Sequence, residues 1–96
     1  MAVYSLSSKA AVDLAGIYEY TILNFGLEEA QVYLSGMEER FATLAEQPMH
    51  GRNADELAPE LRRSEYQSHI VFYVPKDNGV RIVRVLHRSM DVKRHF

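Results

Sequence analysis

The stretch from Val80 to Leu86 is apolar on both of its faces, and this limits the folds that the chain can adopt. In an extended strand, side chains alternate between the two faces. One face would carry Val80, Ile82, Arg84 and Leu86, and the other Arg81, Val83, Val85 and His87. A strand that is apolar on both faces needs cover on both. The pattern therefore predicts a central strand, with helices packed on one side of its sheet.

Other strand patterns surround this one. His69–Val74 is rich in β-branched and aromatic residues, and Lys76–Gly79 predicts a hairpin after it because Asn-Gly accepts positive φ at little cost. Leu61–Tyr66 carries three charges and is predicted to lie nearer an edge. Val3–Leu6 predicts a short first strand, and Met49–Pro59 a connecting loop.

Two helical patterns lie between the first strand and this loop. Ser7 and Ser8 can cap the first helix, which is predicted to reach Phe25 and to end at Gly26 in a left-handed cap. The second helix follows at once and is predicted to end at Pro48. A link of one glycine is short enough to require an antiparallel helical hairpin.

The first helix carries two apolar stripes. One stripe contains Leu14, Ile17, Tyr18, Thr21, Ile22 and Phe25, and the opposite one contains Val12, Gly16, Tyr20, Leu23 and Leu27. A helix that is apolar on two sides needs cover on two sides. Either the sheet covers one stripe and the second helix the other, or part of the second stripe stays open for a partner.

These elements predict an α+β fold in which an N-terminal short strand and an α-helical hairpin pack on a small, mainly antiparallel sheet. Residues 1–96 are expected to form a single domain, because 96 residues suffice for one modest core. The absence of cysteine excludes disulfides and thiolate metal sites and favours a cytoplasmic protein. No secretory signal or stretch of ~20 apolar residues suggests export or membrane insertion.

Charge is distributed unevenly along the chain. Residues 1–50 hold seven acids and two bases, whereas residues 51–96 hold nine bases and six acids. The basic half could meet an acidic partner. The net charge of −2 nevertheless disfavours direct binding of nucleic acid by this chain alone, since such binders show a clear basic excess.

The C-terminal tail carries side chains that could form a catalytic site or a metal site. His87, Arg88, Asp91 and Arg94 could supply a general base and phosphate-binding cations, as in a small ribonuclease. In the plainer interpretation, Asp91 caps or pairs with an arginine, and His87 ends the strand by hydrogen bonding to backbone.

A metal site is the weaker alternative. His87, Asp91 and His95 are spaced i, i+4, i+8, but a terminal turn after a strand lacks the rigidity that converging ligands need. Neither a nucleotide loop nor a nucleophile elbow is present. We therefore predict no metal and no cofactor.

The run from Val83 to Phe96 resembles the ending of the ParE toxins of bacterial toxin–antitoxin systems. That ending typically reads valine, leucine, histidine, then glycine-arginine-methionine-aspartate and an arginine-histidine-leucine close. The helical hairpin ending at Pro48, the Gly51-Arg52 pair and His69–Tyr73 extend the resemblance over nearly the whole chain. Its departures are Arg88-Ser89, where glycine-arginine is usual, and Phe96, where leucine is.

The resemblance implies inhibition of DNA gyrase by protein–protein binding, and neutralisation by a ParD-like antitoxin whose C-terminal segment wraps the toxin. It implies no enzymatic activity. The RelE ribonucleases, which share the fold and cleave messenger RNA on the ribosome, are the alternative. The slight acidity of the chain and the absence of tyrosine after Tyr73 favour the ParE side. An inactive toxin retained as an antitoxin-binding module is the third possibility.

Two sets of contact residues follow from these expectations. The predicted target-binding residues are His87, Arg88, Met90, Asp91 and Arg94. A disordered antitoxin segment needs exposed apolar surface and a sheet edge, and arginines to pair with its carboxylates. The predicted antitoxin-binding residues are Tyr20, Leu23, Leu27, Arg52, Arg62 and Arg63.

Overall fold

The helical hairpin packs on one face of a five-stranded sheet in the computed structural model, which describes residues 2–96. The helices are α1 (Ser8–Phe25) and α2 (Leu27–Glu46), and the strands are β1 (Val3–Leu6), β2 (Arg52–Asn53), β3 (Arg62–Tyr66), β4 (His69–Lys76) and β5 (Gly79–His87). A short 3-10 helix, Val92–His95, follows β5. The sheet order is β1-β5-β4-β3-β2, with β1 parallel to β5 and the other pairs antiparallel. The predicted α+β architecture is confirmed.

The segment 49–59 is not wholly a loop, as the sequence had predicted. Arg52 and Asn53 form β2, which pairs with Arg63 and Arg62 and takes the edge of the sheet beside β3. Two residues are too few for a recognisable alternation of apolar and polar side chains, so the sequence carried no strand pattern here.

Gly26 separates the helices as predicted, but not in the left-handed conformation that was predicted. Its φ of 94° and ψ of 163° lie in a region that is essentially restricted to glycine. The Gly26 N–H donates to the Ile22 carbonyl at 2.9 Å, and its own carbonyl accepts from the Ala30 N–H at 3.1 Å. Gly26 thus caps both the end of α1 and the beginning of α2.

A bulge breaks the alternation that was predicted for the last strand. Two adjacent residues of β4 pair with Ile82 and Arg84, so Val83 is the extra residue on β5. Val85 consequently joins the core beneath the helices, whereas Leu86 lies in the core on the opposite face. The prediction that Leu86 shares a face with Ile82 is therefore wrong.

The two faces of the sheet are covered by different parts of the chain. The core beneath the helices consists of Ala10, Met37, Phe41, Leu44, Ala45, Val71, Tyr73, Val80, Ile82 and Val85. On the far face, Leu57, Ala58 and Val92 pack against a smaller buried cluster. The Phe96 ring meets Phe72 of that cluster edge-to-face, with centroids 4.9 Å apart. Phe96 thus contacts the far-face core while remaining 38% exposed itself.

The second stripe of α1 is exposed to solvent. Tyr20 is 63% exposed and Leu23 is 76% exposed, and Val12 and Leu27 are exposed as well. The interpretation in which α2 covers this stripe is therefore wrong. Phe25, which was assigned to the buried stripe, is also exposed, because it lies in the last turn before the link.

Gly79 provides a test of the sheet. It pairs with Val3 at φ 137°, and a Cβ there would overlap the Val3 carbonyl oxygen. We expect Gly79→Ala to lower the free energy of unfolding by about 3 kcal/mol, from backbone strain and loss of β1 pairing. Urea unfolding followed by circular dichroism measures this difference.

The matched control is Gly16→Ala, in the middle of α1, where a Cβ meets nothing within 4 Å. This variant should be about 0.5–1 kcal/mol more stable than the wild type, because alanine is a better helix former than glycine. Equal effects of the two substitutions would contradict the close β1–β5 approach.

Candidate functional site

The edge of β5 is covered by two different elements along its length. β1 pairs with β5 only as far as Ile82, and beyond that point α1 takes over. The Ser7 hydroxyl donates to the Val83 carbonyl at 2.7 Å, and it accepts the Ala10 N–H at the start of α1. Asp13 accepts the Val85 N–H at 2.9 Å. The beginning of α1 thus satisfies backbone groups that β1 leaves open.

Asp13 also holds Arg84 in a two-pronged ion pair. The Arg84 Nε and Nη2 atoms lie 2.8 and 2.9 Å from the two carboxylate oxygens. Both side chains are largely buried, with 14% and 12% exposure. Hydrogen bonding to Asp13 raises the pKa of Arg84, against the opposing effect of burial. Arg84 is therefore engaged within the fold rather than free to bind a phosphate.

An open groove of about 600 Å³ runs between α1 and the end of β5. Val12, Gly16 and Tyr20 of the second stripe line its helix side. His87 and Met90 line its opposite side. The groove therefore joins a surface predicted to bind antitoxin to one predicted to bind the target.

Two histidines meet where this groove adjoins a smaller one of about 320 Å³. The His69 and His87 rings contact each other edge-on, with centroids 5.2 Å apart. The Tyr33 hydroxyl accepts from the Ser68 N–H at 3.3 Å and is hydrogen-bonded to His69 Nδ1 at 2.7 Å. Burial, reinforced by the neighbouring His87, lowers the pKa of His69 to about 4. His69 is therefore neutral at physiological pH.

The tail leaves β5 through a tight turn. The Ser89 N–H donates to His87 Nδ1 at 3.1 Å, as the plainer interpretation of His87 predicted. The Arg88 N–H donates to the Ser68 carbonyl at 2.9 Å, and the φ of Arg88 is not positive, although glycine is usual at this place in the resemblance. An arginine is accommodated here without strain.

Four of the five predicted target-binding residues are exposed on this tail, namely Arg88, Met90, Asp91 and Arg94, and His87 is half-buried above them. Asp91 precedes the short helix but makes no side-chain cap. It also forms no ion pair within residues 2–96, so the expectation that it caps or pairs with an arginine is wrong.

The three predicted antitoxin-binding arginines lie elsewhere, on β2 and β3, separated from β5 by β4. Arg52 forms an exposed ion pair with Glu65. Arg62 donates to the Gly51 carbonyl, and the Arg63 guanidinium lies over the Phe72 ring, 5.5 Å from its centroid. The structure therefore does not bring these arginines together with Tyr20, Leu23 and Leu27.

Within residues 2–96, no three side chains of the metal-binding types come together, so the spacing of His87, Asp91 and His95 produces no cluster. Over the same residues, no helix has the length and apolar character needed to cross a bilayer.

Sequence reasoning missed the roles of Asp13 and Tyr33. Neither residue was among the predicted site residues, and the structure shows both half-buried. The available signal for Asp13 was Arg84 itself, since an arginine within an apolar strand requires a carboxylate partner. No comparable signal pairs Tyr33 with His69, because an uncharged tyrosine or histidine can also find its hydrogen-bond partner in backbone or water.

Comparison with known proteins shows the family to which the chain belongs. Residues 4–92 match the family described as ParE toxin of type II toxin-antitoxin system, parDE. Toxin ParE1 of Mycobacterium tuberculosis is 36% identical over 94 residues, covering 97% of this chain and 96% of the relative. Toxin ParE1 of Caulobacter vibrioides is 37% identical over 95 residues, with the same coverage of 97% and 96%. This chain belongs to the ParE toxin family.

A solved structure described as the chromosomal ParDE TA system from P. aeruginosa has the same fold as this ParE family member. The TM-score is 0.76 at 21% identity, covering 91% of this chain and 96% of the other. The resemblance of the C-terminal run to ParE toxins is thus confirmed at the level of family and fold.

The Asp13–Arg84 pair provides a test of the site. Asp13→Ala leaves a largely buried guanidinium without its partner and the Val85 N–H without an acceptor. We expect a loss of about 3 kcal/mol in the free energy of unfolding, measured by urea titration. The control is Glu65→Ala, which breaks the exposed ion pair with Arg52 and should cost less than about 1 kcal/mol. Similar losses for both variants would contradict a structural role for Asp13.

His69 makes stability depend on pH. Its folded pKa, about 4, is below the ordinary 6.5, so the unfolded chain binds more protons between these values. The free energy of unfolding should therefore be fully retained above about pH 6.5 and fall as the pH is lowered to about 4. His69→Asn keeps an amide close to the Nδ1 position and should show a shallower fall in urea titrations across this range. If His69→Asn leaves the pH dependence of the free energy of unfolding unchanged, His69 is not its cause.

Proposed function

We propose that this protein is the toxin of a type II toxin–antitoxin pair that inhibits DNA gyrase by protein–protein binding, without catalysis, and that a ParD-like antitoxin neutralises it. Membership of the ParE family supports the proposal. On this proposal the protein acts in the cytoplasm, as one domain, without a cofactor and without binding nucleic acid by itself.

The observation that carries the target-binding part is the anchored, exposed tail. β5 is an interior strand, and the Phe96 ring packs on Phe72, so the segment between them is held at both ends. Arg88, Met90 and Arg94 are exposed on it. Arginine and methionine are enriched in protein–protein interfaces, and a held segment loses little freedom on binding.

The ribonuclease alternative receives less support from the same residues. Arg84 is paired with Asp13, and His69 has a pKa of about 4 and is bonded to Tyr33. A general base works best with a pKa near the operating pH, and a phosphate-binding cation must be free. Arg84 and His69 are therefore better suited to stabilising the fold than to acid–base catalysis.

Induction of the protein in cells without antitoxin distinguishes the possibilities. DNA breaks with continuing translation support gyrase inhibition. Translation arrest with intact DNA and cleaved messenger RNA would overturn it in favour of a ribosome-dependent ribonuclease. Normal growth would indicate an inactive toxin retained for antitoxin binding.

The tail provides a sharper test with purified gyrase. We expect the double variant Arg88→Ala/Arg94→Ala to raise the concentration for half-inhibition of supercoiling by about 10-fold or more, as loss of interface arginines does. Lys93→Ala removes an exposed charge from the same turn but lies outside the predicted contact set, and should change this concentration by less than about 3-fold. Equal effects of the double variant and the lysine control would contradict specific recognition by these arginines.

A further inference from the structure

Two histidines face each other where β4 begins and β5 ends. His69, the first residue of β4, pairs in register with His87, the last residue of β5. Their rings meet edge-on, with centroids 5.2 Å apart. Residues directly opposite each other on adjacent strands hold their side chains together on one face of the sheet. The fold thus brings together two imidazoles whose positions in the sequence form no recognisable motif.

The separation of the two rings suits a shared metal ion. Zn²⁺ binds imidazole nitrogen at ~2.0–2.1 Å with tetrahedral geometry, and this places the centres of two bound rings about 5 Å apart. The rings of His69 and His87 already have this separation. Neutral imidazole is also a suitable ligand for Cu²⁺ and Ni²⁺. Binding of one such ion therefore requires no change in the backbone of the sheet.

Both rings have the outer hydrogen-bond partner that metal-binding histidines use. The Tyr33 hydroxyl oxygen lies 2.7 Å from His69 Nδ1, and the Ser89 hydroxyl oxygen lies 2.7 Å from His87 Nδ1. A histidine that binds metal through one ring nitrogen donates the N–H of the other to such a group, which fixes its orientation and tautomer. Within residues 2–96, no hydrogen bond involves Nε2 of either ring. The Nε2 atoms are therefore the ones available to a metal.

One hydrogen bond of the turn changes when His87 binds metal through Nε2. Its Nδ1 atom then carries the proton and donates to the Ser89 hydroxyl, so it no longer accepts the Ser89 N–H. The N–H contact is the longer of the two, at 3.1 Å against 2.7 Å. Because Ser89 is exposed, water can accept its N–H instead, and little stability is lost.

The surroundings of the pair admit a cation. Both histidines line the 600 Å³ groove and the adjoining one of 320 Å³, so an ion can reach them from solvent. Glu29 also lines the smaller groove, is exposed, and forms no ion pair within residues 2–96. The guanidinium of Arg84, in the larger groove, is neutralised by Asp13. The charges along the two grooves therefore favour a positive ion.

We propose that His69 and His87 bind one divalent transition-metal ion, Zn²⁺ or a neighbour that imidazole also prefers, through their Nε2 atoms. Within residues 2–96 no third side chain of a metal-binding type joins the pair, so water completes the coordination and the ion is exchangeable. The ion links β4 to β5 at the point where the tail leaves the sheet. This inference does not depend on gyrase as the target.

The site is tested by calorimetric titration of the folded chain, without an affinity tag, with zinc chloride. Wild-type protein should bind one ion per chain. His87→Gln should raise the dissociation constant by about 100-fold or more, at least as much as the loss of an outer hydrogen-bond partner costs. The matched control is His50→Gln, an exposed histidine that lines neither groove, and it should leave the constant unchanged. Absence of saturable binding by the wild type, or equal constants for wild type and His87→Gln, would overturn the site.

A second measurement uses the wild-type chain alone and so does not depend on the folding of a variant. Nitrogen-15 NMR resolves the ring nitrogens of each histidine during the zinc titration. The Nε2 signals of His69 and His87 should shift together, and their Nδ1 signals should become those of protonated nitrogen. Shifts confined to His50 or His95, or to only one member of the pair, would overturn the shared ion.

Discussion

The bond of Asp13 to both Arg84 and the Val85 N–H is the contact on which the arrangement of this protein depends. This contact lies beyond Ile82, where β1 no longer pairs with β5. Without it, the Val85 N–H of β5 would face α1 with no hydrogen-bond partner. One carboxylate satisfies a strand amide and a buried guanidinium at once, which a shorter or uncharged side chain cannot do. Through it, α1 is fixed along β5, and the position of α1 defines the groove.

The bulge at Val83 belongs to the same arrangement. By adding one residue to β5, it lets Val85 join the core beneath the helices and turns Leu86 to the far face. Val85 then presents its N–H to Asp13. Without the bulge, Val85 would lie on the far face and Leu86 beneath the helices. The bulge in β5 and the hydrogen bond from β5 to α1 therefore depend on each other.

Local patterns predicted the elements well because local physics determines them. Ser7 caps α1, Gly26 separates the helices, and the turn before Gly79 joins two strands as their residue types required. The features that could not be predicted depend on contacts between residues that are far apart in the sequence. The bulge at Val83 arises from registry with β4, and the exposure of Tyr20 arises from the direction in which α2 packs. A helical stripe shows that a face is apolar but not whether another element will cover it.

Because Phe96 packs on Phe72, the tail that follows His87 is held at both of its ends. The chain leaves the sheet at His87 and returns to its far face nine residues later, at Phe96. Much of the entropy that a dangling peptide would lose on meeting a partner has therefore been lost already in folding. A single aromatic contact thus fixes the arrangement of the exposed residues that precede Phe96, at a point on the face of the sheet opposite the helices.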